Sequence, residues 1–220
     1  MPSGARIADL ARLGDVARGQ LEAAHQGREE ALACCRETIR ACGLAIRAVH
    51  RLEPGDVEAR VGEAEGSLRR AQRALAPFPR LAAAGFLHDA EKEFAEARLT
   101  AALVGDQVLP GHDDLGVGVA AWLNGLAEAA SELRRHLLDR LRSGHIERGE
   151  ELLGAMEDVY DLLVTVEYPD AITGGLRRAT DALRAVVERS RADVTTTVLQ
   201  WRLQRAIERH EGQTAAEGAS

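Results

Sequence analysis

The sequence predicts an all-α fold, a bundle of about six to seven long helices forming a single domain. Three observations predict it. Alanine, leucine, arginine and glutamate dominate, and aromatics make up only 3% of the 220 residues, a mix that favours helices over strands. Apolar residues recur at three- and four-residue spacing, and no alternating pattern of any length appears. The six prolines fall between periodic stretches, not inside them.

The punctuation sets the elements in order. A first helix is expected from about Asp15 to Leu52, with a break near Gly27, ended by Glu53-Pro54-Gly55. A second runs from Asp56 to Ala76 and stops at Pro77-Phe78-Pro79. A third spans Leu81 to Leu103, followed by a loop from Gly105 to His112. Asp113 or Asp114 suits the N-cap of a fourth helix that ends at Ser143-Gly144. A fifth spans His145 to Val166, and Tyr168-Pro169-Asp170 restarts the chain into a sixth, Asp170 to His210. Residues 1–14 read as a flexible N-terminal segment, 15–210 as one helical domain, and 211–220 as a disordered tail. Helices of that length with broad apolar faces often bury a second face on another subunit, so self-association is expected.

Composition narrows the function classes. Net charge is −7, which argues against a generic nucleic-acid coat while leaving room for a local basic surface. Lys92 is the only lysine, so 27 of the 28 basic residues are arginine, the side chain suited to bidentate phosphate contacts. Cys34, Cys35 and Cys42 do not have zinc-ligand spacing and read as small apolar core residues of a reducing compartment. No apolar run approaches the roughly 18 residues of a membrane span, and no signal-peptide pattern opens the chain. The expected address is the cytoplasm, with no membrane partner.

Glutamates carry the candidate chemistry. On the third helix Phe86, Ala90, Phe94, Ala97 and Ala101 form the apolar stripe, with Glu93 on its border and Glu96 one turn on. On the fourth, Trp122, Leu126, Ala130, Leu133 and Leu137 form the main stripe. Beside it runs a second line, Ala121, Gly125, Glu128, Glu132, whose small residues would let another backbone come close. If the two helices pack side by side, four carboxylates converge, and a divalent cation would relieve their repulsion. Oxygen ligands suit Mg²⁺ or Mn²⁺, which can promote phosphodiester hydrolysis. The competing reading is a solvated glutamate-rich face. A di-iron bundle site needs two Glu-x-x-His pairs, and only Glu22 and His25 have that spacing.

The same segments resemble the translin/Trax family. Gly85 to Ala97, containing Lys92-Glu93-Phe94-Ala95-Glu96-Ala97, is similar to the Trax segment whose core reads Gln-Glu-Tyr-Val-Glu-Ala. Trp122 to Arg135 is similar to the family's Tyr-Leu-x-Gly-hydrophobic pattern followed by Glu-Leu-x-Arg. Gly144, Tyr160-Asp161, Tyr168-Pro169 and Leu176-Arg177-Arg178 fall where the family has similar features. The resemblance covers about Arg28 to His210. It implies about seven helices, closed octamer-scale particles, binding of single-stranded RNA and DNA, and, for Trax-type subunits, a magnesium-dependent endoribonuclease. It places Glu93, Glu96, Glu128 and Glu132 as catalytic and metal-holding residues. Trax subunits have aspartate where this chain has Glu128, and a carboxylate misplaced on the ångström scale can cost roughly a hundredfold in rate.

A polyanionic substrate needs cations nearby. Arg36 and Arg40 lie on the first helix, Arg134, Arg135, Arg140 and Arg142 on the fourth, and Arg177, Arg178, Arg184, Arg189 and Arg191 on the sixth. His88 could contact a phosphate or hold a structural place. Two functions follow as expectations: a Mg²⁺- or Mn²⁺-dependent endoribonuclease acting on single-stranded RNA, or a non-catalytic translin-like oligomer that binds single-stranded RNA or DNA.

Overall fold

The computed structural model describes residues 3–217, with side chains from 6 to 211. Six long helices carry the fold: α1 (Ser3–Arg51), α2 (Pro54–Leu75), α4 (Phe86–Val104), α6 (Val119–Arg142), α7 (Ile146–Val164) and α9 (Leu176–Glu217). Three single turns interrupt the connections: α3 (Pro79–Ala82), α5 (His112–Leu115) and α8 (Asp170–Thr173). No strand occurs among the described residues, and no helix is long and apolar enough to cross a membrane.

The core follows the two stripes read from the sequence. Phe94 on α4 and Leu126, Leu133 and Leu137 on α6 are fully buried, with Met156 of α7 and Leu183 of α9 beside them. α6 lies at the centre, packing on α4 along one side and on α7 and α9 along the other. α1 and α2 form a long hairpin that covers α4. The layering therefore runs from the α1–α2 hairpin through α4 and α6 to α7 and α9. It buries α4 and α6 between other helices, and these are the two helices that carry the four glutamates.

Several boundaries differ from expectation, each for a local reason. α1 starts at Ser3, not Asp15, because nothing in residues 3–14 breaks a helix. It also runs unbroken through Gly27. A Cβ there would lie 2.9 Å from the Phe78 ring and 3.0 Å from the Ala74 carbonyl oxygen, so glycine lets the end of α2 press against α1. The fourth long helix starts at Val119, not at Asp113 or Asp114. Those aspartates belong to the α5 turn, which Gly116 stops at φ 64°, in the left-handed region. The Asp114 carboxylate accepts from the Gly111 N–H, 2.8 Å away, and so caps the short turn instead. α9 continues to Glu217, through much of the stretch expected to be a disordered tail, since Ala and Glu sustain a helix there. The remainder of the terminal expectations, residues 1–2 and 218–220, lies outside the described residues.

The two longest helices project beyond the layers they pack in. Ile7, Leu10, Leu13 and Leu21 of α1 are exposed, as are Leu199, Leu203 and Ile207 of α9.

Candidate metal centre

The site is built at the α4–α6 crossing. A Cβ on Gly125 would lie 2.8 Å from the Lys92 carbonyl oxygen, 2.8 Å from Ala95 Cβ and 2.9 Å from the Glu96 nitrogen. The two backbones thus touch where α4 carries Lys92, Glu93 and Glu96, and Glu128 follows one turn later on α6. Only glycine permits that approach, as the small-residue line in the sequence anticipates.

Three of the four expected glutamates meet there. Carboxylate oxygens of Glu93, Glu96 and Glu128 all lie within 4.8 Å of one another. Glu96 is buried, at 8% exposure, while Glu93 and Glu128 are half-buried. Burial, then the charges of Glu128 and Glu93, push the Glu96 carboxyl up to about 9. Glu93 is raised as well, first by burial, although Lys92 pulls the other way. Two carboxyls raised by burial and by their neighbours' charge mark an excess of negative charge.

Lys92 sits in the middle of it. Its Nζ donates to Glu128 Oε1 at 2.8 Å and lies 3.6 Å from Glu93 Oε1. Burial works against its charge, but the hydrogen bond and charge of Glu128, with Glu93 and Glu96, raise its pKa overall. Sequence reading gave this lysine no role in the site. The signal available was its identity as the chain's only lysine, placed directly before Glu93; its partner on α6 needs the fold to be seen.

Glu132 occupies a different environment, outside the three-carboxylate group. Its Oε2 lies 2.8 Å from Nε2 of His50, a side chain only 3% exposed near the end of α1. The hydrogen bond to His50 lowers the Glu132 carboxyl despite partial burial, with His50 and Arg135 adding favourable charge. Glu132 is therefore ionised, and His50 donates to it. His50 Nδ1 is buried without a partner, so the ring's hydrogen bonding is directed at Glu132 alone. Sequence reading missed His50, because residues 82 positions apart have no local pattern linking them.

The structure thus orders the acids by contact. The longer side chain at Glu128, where Trax subunits have aspartate, reaches Lys92 and joins Glu93 and Glu96. Glu132 stands apart, paired with histidine. Behind the cluster Cys42 is fully buried, and burial with the Glu93 and Glu96 charges pushes its thiol up to about 12. Cys34 and Cys35 are buried too, all three thiols are free, and the reading as small core residues holds.

The basic candidates divide. Arg36 and Arg40 are exposed on α1 and make no ion pair among the described residues. Arg135 is exposed beside Glu132, and both line an open groove of about 750 Å³ on α6 with Arg134 and Arg142. Arg134 is engaged: it donates to Ser190 Oγ at 3.0 Å and to Asp193 at 2.7 Å, tying α6 to α9. Arg142, Arg184 and Arg191 pair with Asp139, Glu188 and Glu157. His88 is not among the residues of the acid cluster. Its Nε2 would be 3.0 Å from a Cβ on Gly174, so it packs against the turn before α9.

The donor set fits a hard divalent cation. Ligand oxygens around Mg²⁺ at about 2.0–2.1 Å stand roughly 3 to 4 Å apart, so the cluster needs only a small contraction. Three carboxylates, one of them pushed toward its protonated form by burial and its neighbours' charge, are the chemistry such an ion relieves.

No family model matches the chain. A protein of Methanocaldococcus jannaschii, itself uncharacterized, is 28% identical over 184 residues, covering 83% of this chain and 81% of that protein. The structure of AfC3PO in complex with duplex RNA superposes with a TM-score of 0.79 at 29% identity, over 86% of this chain and 97% of the other. The crystal structure of AfC3PO gives 0.78 at 30% identity, over 86% and 98%. That of apo-NeC3PO shares the fold, with a TM-score of 0.75 at 17% identity over 84% and 96%. Given 30% identity over nearly the whole of AfC3PO, together with the two glutamate-bearing motifs on packed helices, the chain belongs to the translin/Trax family, with the C3PO proteins.

Proposed function

We propose that this protein is a metal-dependent endoribonuclease. The observation that supports it best is the convergence of Glu93, Glu96 and Glu128 from two helices around a charge excess that only a cation or protons can balance. Glu93, Glu96 and Glu128 would hold Mg²⁺ or Mn²⁺. When bound, the ion supplies a Lewis acid beside the scissile phosphate and neutralises part of its charge.

The chain's own residues supply the rest. Glu132, ionised and held by His50, takes a proton from the water whose oxygen adds to phosphorus as the P–O ester bond breaks, and the leaving oxygen takes a proton from solvent. Its place one turn beyond Glu128 puts an ionised, His50-bound carboxylate near the acid cluster but outside the three-carboxylate group. Arg135, beside Glu132 in the open groove, and the unpaired Arg36 and Arg40 bind the phosphate backbone by charge. With so few aromatics to stack on bases, recognition is of backbone and strandedness rather than sequence.

The substrate is RNA, single-stranded by the family resemblance, while AfC3PO has been seen with duplex RNA. Particles of octamer scale form through the exposed apolar residues at the ends of α1 and α9. The test uses labelled single-stranded RNA, duplex RNA and single-stranded DNA with Mn²⁺, Mg²⁺ or chelator. Wild type is expected to cleave single-stranded RNA in metal, and Glu93→Ala/Glu96→Ala to lose roughly a hundredfold or more, the upper end of what even indirect perturbation of a metal site costs. Equal cleavage by the two proteins would sink the assignment.

A second reading has an observation behind it. Lys92 already supplies a positive charge to Glu128 and Glu93, so the acids could serve packing alone, and the protein would bind RNA without cutting it. RNA retention with no cleavage in any divalent metal would favour that reading.

A further inference from the structure

The chain's only lysine is placed where a metal ion at this centre would be drawn. Its ammonium lies 2.8 Å from Glu128 and 3.6 Å from Glu93, and carboxylate oxygens of Glu93, Glu96 and Glu128 lie within 4.8 Å of one another. Gly125 fixes Lys92's backbone against α6, and its side chain is 22% exposed, enough for the ammonium to swing outward.

We infer that Lys92 is an exchangeable counter-ion of the acidic centre: its ammonium holds Glu128 and Glu93 together, and a divalent cation must displace it to bind. The argument is one of charge and contact. A divalent ion shared among three carboxylates outcompetes a single ammonium hydrogen-bonded to one of them, but the exchange subtracts from the ion's affinity. An opposite charge beside a carboxylate commonly changes its affinity for a proton by about one to three pK units. The same charge should therefore weaken a competing metal ion by about tenfold or more. Lys92 would thereby raise the metal concentration at which the centre fills, while keeping the helices together when metal is scarce. This rests on the metal reading of the cluster.

The experiment titrates Mn²⁺ into full-length wild type, Lys92→Gln and Lys92→Arg, following free Mn²⁺ by electron paramagnetic resonance and melting temperature with and without chelator. Lys92→Gln is expected to bind Mn²⁺ at least about tenfold tighter than wild type, and Lys92→Arg, which keeps the charge, no tighter. In chelator Lys92→Gln should melt lower than wild type, and Mn²⁺ should restore it by more than it shifts wild type. If Lys92→Gln folds only in Mn²⁺, the inference is supported by the same logic. Equal or weaker Mn²⁺ binding by Lys92→Gln overturns the role of Lys92 alone. Failure of all three folded proteins to bind Mn²⁺ overturns the metal centre, and the exchange with it.

Discussion

Glu128 and Glu132 stand one turn apart on the same helix, yet they live under opposite electrostatics. Glu128 enters a crowd of carboxylates in which burial and like charge force Glu96 upward. Glu132 meets a buried histidine that lowers its carboxyl. The difference teaches that a run of acids along one helix face is not one functional unit. Each acid takes its character from the helix that packs against it: α4 for Glu128, the end of α1 for Glu132. In the proposed reaction the first region binds cations, and the second keeps a base ionised.

The contrast can be broken most severely at the crossing that creates it. Gly125→Leu should destabilise the protein by about 1–3 kcal/mol, the usual cost of overpacking, because its Cβ alone would meet α4 backbone at 2.8 Å. Denaturant midpoints measure that loss. Mn²⁺ affinity should fall with it as α4 and α6 part, while the His50–Glu132 pair, anchored on α1, is left in place. A variant as stable as wild type would show that the close approach is not needed.

A narrower break removes only the second region. His50→Phe leaves Glu132 without its donor, and kcat for RNA cleavage should drop by about ten- to hundredfold with KM nearly unchanged. His50→Gln, which can still donate, should recover part of it. Because Glu132's lowered carboxyl returns toward its ordinary value, the acid limb of the pH–rate profile should move upward in His50→Phe. An unmoved limb would place His50 in a packing role only.

The mildest probe is pH, and here the two regions have opposite signs. Glu96 is raised in the folded state, so its contribution to stability is present below about 4.5 and is lost as pH rises toward about 9. Glu132 is lowered, so its contribution is present above about 4.5 and is lost as pH falls through its folded value. In chelator, melting temperature should therefore decline on the alkaline side from Glu96 and on the acid side from Glu132. Glu96→Gln should flatten the alkaline decline alone. Mn²⁺ should flatten it too, since metal replaces the proton, and Mn²⁺ affinity should rise with pH across that window.

Much of this was legible in the sequence. The stripes Ala90–Phe94–Ala97 and Leu126–Leu133–Leu137 name the buried faces of α4 and α6, because helical periodicity records which side meets a neighbour. Gly125 in a line of small residues forecast the close crossing. What could not be read was the partner of each acid. Lys92 and Glu128 are 36 residues apart, and His50 and Glu132 are 82, so both pairs depend on how α1, α4 and α6 stack. The start of α6 was misread for a related reason. Asp113 and Asp114 have cap chemistry, but Gly116 spends that signal on a single turn. The N-terminus of α6 is instead met by Glu91, whose carboxylate accepts from the Gly118 N–H at 3.2 Å and from Gln72 at 2.9 Å.

The solitary status of Lys92 makes it a built-in reporter. Apart from the α-amino group at the chain's start, it is the one primary amine in the sequence, and it sits within the acid cluster with its side chain 22% exposed. A mild acylating reagent would thus mark a single internal position, readable as a mass increment on one peptide. The speed of that labelling, followed as ions or RNA are added, would monitor how open the α4–α6 crossing is in the native protein without any engineered tag.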